Sequence, residues 1–319
     1  FDLTLLSGTV VEDMTKANSP YLLTGDVTIP QSFQVSVEAG TEIRFTPLQD
    51  DQNGGTDLNR IEIIVNGKFD VNGIEGDSVR FLSNGDSPSS GDWYGIRYIN
   101  FVTSNIQYSV IEHATQVLYY NQVNIVNDTI RVKHNRITSS GSGVFANDNF
   151  SSAVFDISYN DYRSGGSFIN KNGCCDSQTD FIVNSNYIES ESGALYFRYI
   201  GRLTVQSNTY YGTGSGNFIY SYHSYGSSLV NNNKVTNSSG FGNFTNYQNQ
   251  SSLQITNNVD STEGGITVEN IESVDITDNS FYLASRNNPN YTTQVNSSNW
   301  NESGIYLQRV KNSRIERNK

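Results

Sequence analysis

The feature that most constrains this chain is an asparagine that returns at a nearly fixed interval. Asn135, Asn160, Asn186, Asn208, Asn233, Asn258, Asn279 and Asn318 are separated by 25, 26, 22, 25, 25, 21 and 39 residues, the last interval holding an insertion near 284–302. Three residues before each stands a β-branched aliphatic residue: Val132, Ile157, Val183, Val205, Val230, Ile255, Ile276 and Ile315. Two residues after come Ile137, Tyr162, Ile188, Tyr210, Val235 and Phe281, with Asp260 as the exception. The flanking positions, such as Lys133, Ser158, Asn184 and Gln206, are polar, so the pattern alternates as a half-buried strand requires. Short alternating segments repeating every twenty-odd residues are the signature of a parallel β-solenoid, in which each coil buries its inward side chains against its neighbours. An inward Asn at one repeated position bonds to the Asn above and below, which offsets the cost of burying its amide.

A second strand follows a glycine in most periods, at Gly143, Gly166, Gly193, Gly216, Gly265 and Gly304, so each coil carries at least two strands. The first half alternates in the same way between Gly, Asn and Asp turns, and its strands read as early coils. Residues 1–20 are less regular and are expected to cap the exposed end of the stack, leaving 21–319 as one solenoid domain. Lys319 directly follows a ladder Asn, from which we expect further coils in the native chain. No charged leader with an apolar stretch precedes Phe1, so the numbering is expected to begin after a removed secretory signal.

The run Val35 to Phe45 (Val-Ser-Val-Glu-Ala-Gly-Thr-Glu-Ile-Arg-Phe), then Val65 to Gly73, Val79 to Ser83 and Gly91 to Arg97 resemble the opening of right-handed parallel β-helix surface proteins. The Asn-anchored coils resemble the repeats of pectate-lyase-like β-helices, and the likeness covers nearly all of 20–319. The resemblance implies an all-β, right-handed parallel β-helix. It does not fix an activity, because that family includes lyases, hydrolases, epimerases, adhesins and fibre components.

Composition bears on partners. A formal charge of −12 disfavours nucleic acid and anionic membranes, and no apolar run is long enough to span a bilayer. One Met, two Cys and abundant Asn and Tyr fit an extracellular or cell-surface setting. The expectation is therefore a structural or adhesive rod that meets itself, other surface proteins or carbohydrate through its outer faces. The alternative is a carbohydrate-active enzyme, a polysaccharide lyase or glycoside hydrolase.

Glycoside hydrolysis needs two carboxylates flanking the scissile bond. The outward column Arg131, Asp156, Ile182, Thr204, Leu229, Gln254, Asp275, Arg314 stacks no two acids, and its charges are expected to pair between coils, Asp156 with Arg131 and Asp275 with Arg314. The resemblance to polygalacturonases is incomplete: Arg314-Ile-Glu lacks their lysine, and His113, His134 and His223 lack flanking glycines. No catalytic residue is assigned. Asp50, Asp51 and Asp57 lie on a turn rich in oxygen donors and are candidate ligands for calcium. The adjacent Cys174 and Cys175 are read as a vicinal disulfide, with free thiols or an interchain bond as alternatives. Asn127, Asn149, Asn237, Asn243, Asn249, Asn290, Asn296 and Asn301 head Asn-x-Ser/Thr sequons and are candidate glycosylation sites. Phe145, Phe168, Phe218, Tyr220 and Tyr222 are expected to stack as an outward aromatic ladder that contacts subunits or sugar rings.

Overall fold

The computed structural model of the chain describes residues 3–100, 103–121, 128–147, 153–173, 179–248, 251–262, 264–282 and 304–319. Among them the chain winds as a right-handed parallel β-helix with three strands per coil. One strand of each coil joins an eleven-stranded parallel sheet, and the other two join a sheet of twenty-two strands. The rod therefore has three long faces: the eleven-stranded face, a face of strands that follow the ladder Asn, and a third face that we call glycine-led.

The aliphatic column predicted three residues before each Asn is the inner wall of the eleven-stranded face. Val37, Val71, Ile106, Val132, Ile157, Val183, Val205, Val230, Ile255, Ile276 and Ile315 pair in unbroken register from coil to coil. Equal shape at each rung lets these branched side chains nest without voids, and all but the last are fully buried. Inside the other faces, aromatic rings fill the wider spaces, with Phe45 stacked on Trp93 at 3.8 Å and Tyr98 on Tyr120 at 4.7 Å.

The corner between the first two strands is built around the asparagine ladder. In each rung the backbone N–H and Nδ2 of one Asn both donate to Oδ1 of the next, from Asn135 to Asn160 at 3.0 Å through to Asn279 and Asn318 at 3.0 and 2.9 Å. Nδ2 also donates to a carbonyl of the preceding coil, as Asn208 does to Val183 at 2.9 Å. Ser109 closes the upper end by donating its N–H and Oγ–H to Asn135.

The residue before each ladder Asn adopts a left-handed backbone, from His134 at φ 56° and Tyr159 at 61° to Arg317 at 53°. No glycine occupies this column, although the conformation costs an L-residue about 1–2 kcal/mol. Coil-to-coil bonds compensate: Tyr159 N–H donates to the Asn184 carbonyl at 2.9 Å, and Asp161 N–H to the Asn135 carbonyl at 2.8 Å.

At the N-terminal end, Thr4–Thr9 pairs with Tyr21–Ile29, which in turn pairs with both Glu42–Phe45 and Glu62–Val65. The segment expected to cap the stack thus adds one edge strand and a 3-10 turn over Lys16–Asn18, with Leu5 still 66% exposed. Of the predicted charge pairs between coils, Arg314 and Asp275 meet at 2.7 Å. Asp156, although in register with Arg131, bonds instead to Lys133 at 2.5 Å. The two columns are neighbours on the same outer face, and the flexible lysine stem reaches across.

Asp260 interrupts the inner column of the Asn-led face between Val235 and Phe281. It is wholly buried, Thr262 donates to its Oδ2 at 3.0 Å, and Oδ1 has no partner among the described residues. Burial pushes its carboxyl up to about 7, partly opposed by the Thr262 hydrogen bond.

Two measurements test this account. Asn208→Ala leaves buried donors on Asn186 and the Val183 carbonyl unpaired and is expected to cost about 3 kcal/mol or more in urea unfolding. Asn318→Ala, at a rung bonded on one side only, should cost clearly less. The folded chain keeps the Asp260 proton in the window from 3.8 to about 7, where the unfolded chain has released it. Its contribution to stability is therefore lost as pH rises through that window, and Asp260→Val should raise the unfolding midpoint at pH 8 but hardly at pH 4.

Candidate functional site

The site is built on the outer side of the glycine-led face. Strand pairing places Arg97, Tyr119, Phe145, Asn170, Tyr196, Tyr220, Asn243, Thr267 and Tyr306 in one outward column. The next outward column contains Asn172, Arg198, Tyr222, Thr245 and Glu269. Because every coil advances by one strand spacing, rings in the same column lie face to face. Tyr119 stacks on Phe145 at 5.1 Å and 6°, and Tyr196 on Tyr220 at 4.9 Å and 4°.

This geometry corrects part of the predicted ladder. Phe145, Tyr220 and Tyr222 face outward, but Phe168 and Phe218 are fully buried. Their phase was misjudged because the leading glycines do not share a register. Val144 pairs with Ile169, whose column continues through Leu195 to Ile219, so Gly143 is level with Phe168 and Phe218 rather than with Gly166 and Gly216. Phe168 and Ile169 are both buried, as are Phe218 and Ile219, because the chain turns a corner there and the two-residue alternation breaks. Tyr119 and Tyr196 also belong to the ladder: Tyr196 stands three residues after its glycine rather than two, and the coil of Tyr119 has no leading glycine to mark it.

Asn170 is a rung without a ring that has an aromatic neighbour on each side. It lies between Phe145 and Tyr196, so each of these presents one face toward a position that no aromatic fills. The Oδ1 atom of Asn170 is buried and unpartnered among the described residues. A trough of about 320 Å³ opens on the Tyr196 side of this rung, lined by Asn170, Asn172, Ser192, Tyr196, Asn217 and Tyr220, and Phe145 is not part of its lining. Its described lining has no carboxylate.

Arg198 stands at the trough's side. Its guanidinium lies 5.7 Å from the Tyr199 ring centroid and 5.6 Å from that of Tyr222, and it donates a long bond of 3.4 Å to Asn172 Oδ1. Burial, and secondarily the Arg198 charge, lower the pKa of His223, which stacks on Tyr199 at 4.9 Å, so the imidazole is neutral at pH 7. Burial and the neighbouring Tyr196 raise the Tyr220 hydroxyl, with Arg198 opposing, so it stays a donor.

A second groove of about 350 Å³ lies on the eleven-stranded face beside Ile182, Thr204 and Leu229. At one corner of the rod Tyr108, His134 and Tyr159 form another outer stack, spaced 4.5 and 4.9 Å.

The predicted calcium loop is put to a different use. Asp50 turns inward and accepts hydrogen bonds from the N–H groups of Asp26, Gln52 and Gly54. Asp51 accepts one from Gln49, and Asp57 pairs with Arg60 at 2.6 Å. The three carboxylates do not converge, and among the described residues no group of three His, Cys, Asp or Glu could hold a metal ion. Nearby Asp26 is pushed up to about 7, first by burial and then by the charges of Asp50 and Glu62, against a hydrogen bond from Glu62 N–H and the charge of Arg97.

Of the sequons, Asn237 is exposed at a left-handed corner and Asn243 sits outward beside Tyr220. Asn127, Asn149, Asn249, Asn290, Asn296, Asn301, Cys174 and Cys175 lie outside the described residues. No described helix is long and apolar enough to cross a membrane. Comparison with protein-family models, with curated proteins and with solved structures returns no match.

Proposed function

We propose that this chain is an extracellular structural and adhesive rod of pectate-lyase-like architecture that holds glycans on its glycine-led face. The observation that carries this reading is the missing rung at Asn170. Strands in a sheet lie 4.7–4.9 Å apart, so the Phe145 and Tyr196 positions are separated by about 9.5 Å. Carbon surfaces touch at about 3.5–4.0 Å, so that gap takes two face contacts plus the pucker of one saturated ring. A sugar ring at this rung would offer C–H faces to the flanking aromatics and, through the adjoining trough on the Tyr196 side, hydroxyls to the amides of Asn170, Asn172 and Asn217 and to Ser192.

A binding role suits this lining better than hydrolysis, which would need a pair of acids across the bound ring. The rod form supports the rest of the reading. Stacked coils present the same face repeatedly along the axis, which is how solenoids build extended contact surfaces for neighbouring proteins.

The test is retention on a printed glycan array, followed by calorimetry on whichever glycan binds. Asn170→Tyr places an aromatic ring between Phe145 and Tyr196, as in the neighbouring rungs, so the fold should persist while binding is lost. Tyr196→Ala should weaken binding about ten-fold or more, near 1.4 kcal/mol. Leu229→Asn, on the eleven-stranded face, should leave it unchanged. Equal glycan retention by wild type, Asn170→Tyr and Tyr196→Ala would sink the proposal, as would an array on which nothing binds.

A further inference from the structure

We infer that the glycan held in this trough carries an anionic substituent, a carboxylate or sulfate, that is read by Arg198. The inference rests on the glycan reading above and names the chemistry of its ligand. Three features of Arg198 carry it.

Among the described residues Arg198 has no acidic partner. Cations elsewhere on the described surface are commonly tied to carboxylates, among them Arg202 to Asp180 at 2.6 Å, Arg163 to Asp161 at 2.8 Å and Arg317 to Asp278 at 2.5 Å. Arg198 forms no ion pair among the described residues. Its nearest rungs along the column are Asn172 and Tyr222, and the neighbouring column offers Asn170, Tyr196 and Tyr220. The first acid in its own column is Glu269, three rungs away, which at about 4.8 Å per rung lies beyond the screening length of physiological salt.

The guanidinium is also held in place without being used up. The Tyr199 and Tyr222 rings flank it at 5.7 and 5.6 Å, contacts that fix a guanidinium plane through cation–π attraction. Five N–H donors are available on such a group, and the described structure engages them in a single 3.4 Å bond to Asn172 Oδ1. A fork that is already oriented loses less freedom on binding, and two parallel N–H groups match the two oxygens of a carboxylate or sulfate.

Finally, the donor connects to the trough. Asn172 lines it and touches Arg198, and Tyr196 precedes Arg198 by two residues on the same outward-facing strand. A ring lying at the Asn170 rung would therefore direct a substituent along the strand toward the guanidinium. The neighbouring His223 adds no second charge, since its imidazole is neutral.

The experiment compares matched glycans on the wild-type chain: one neutral core oligosaccharide, the same core bearing a carboxylate, and the same core bearing a sulfate. The expected result is at least ten-fold tighter binding of one or both anionic forms, with the advantage shrinking as salt is raised. Arg198→Gln should erase that advantage while the neutral core binds as before, and Arg198→Lys should recover only part of it because an ammonium lacks the planar fork. The preferred anion tells carboxylate from sulfate. Equal binding of neutral and anionic cores by wild type overturns this inference and leaves the glycan reading standing. Failure of all three to bind overturns both. An anionic preference that survives Arg198→Gln assigns the charge recognition elsewhere and also overturns it. Circular dichroism of each variant, with Leu229→Asn as a folded reference, keeps loss of binding distinct from loss of fold.

Discussion

From Ser109 onward this rod depends on one polar interaction repeated where polar groups are least welcome. A buried primary amide has two donors and an oxygen to satisfy, and an isolated one costs free energy. Here each Asn spends its oxygen on the N–H groups of the coil before and its Nδ2 on a carbonyl of that coil and the Asn beyond, so no amide is left over inside the ladder. That arrangement is available only if all coils turn the corner at the same point. The ladder consequently fixes the register of the three faces, and the left-handed residue before each Asn is tolerated because the ladder over-determines it.

Register then decides what the outer faces can do. With coils locked at one spacing, a side chain type repeated on the outside becomes a stack, as Tyr196 and Tyr220 do, and a single departure becomes a slot, as at Asn170. The slot has aromatic faces above and below because its neighbours obey the ladder and it does not. Arg198 is placed by the same logic, one alternation further along the strand, where the pleat returns the chain to the outer side.

The sequence disclosed the ladder and the aliphatic column because each imposes one chemistry on every coil, so a column of Asn beside a column of Val and Ile stands out from its surroundings. It hid the third strand's register because glycines there answer local crowding, which changes from coil to coil. A Cβ on Gly143 would sit 2.5 Å from the Phe168 carbonyl oxygen, whereas one on Gly216 would sit 2.1 Å from Gly193 N, two residues earlier in the turn. Aligning those glycines shifted Phe168 and Phe218 to the outside on paper and left Tyr196 unnoticed. The left-handed corner was equally silent, since His134, Tyr159, Ser185 and Arg317 share no side-chain property. The role of Asp50 was hidden for a related reason. A carboxylate that caps its own turn through Gln52 and Gly54 has the same sequence surroundings as one that binds calcium.

This contrast between uniform inner columns and varied outer ones follows from the one-dimensional energetics of a solenoid. Each coil touches only its neighbours, so a substitution is felt one rung up and one rung down and then fades. An inner change such as Asp260 disturbs packing locally, and the stack continues past it because Val235 still pairs with Tyr210 and Phe281 N–H donates to the Lys319 carbonyl. An outer change disturbs almost nothing, because its neighbours are solvent and two adjacent rungs. Selection for folding therefore acts on every inner rung alike, whereas selection for recognition can rewrite single outer rungs. A short strip of distinct outer residues, such as Asn170, Tyr196, Arg198, Tyr220 and Tyr222, can arise on such a scaffold without any compensating change in the core, and nothing periodic in the sequence would mark where it lies.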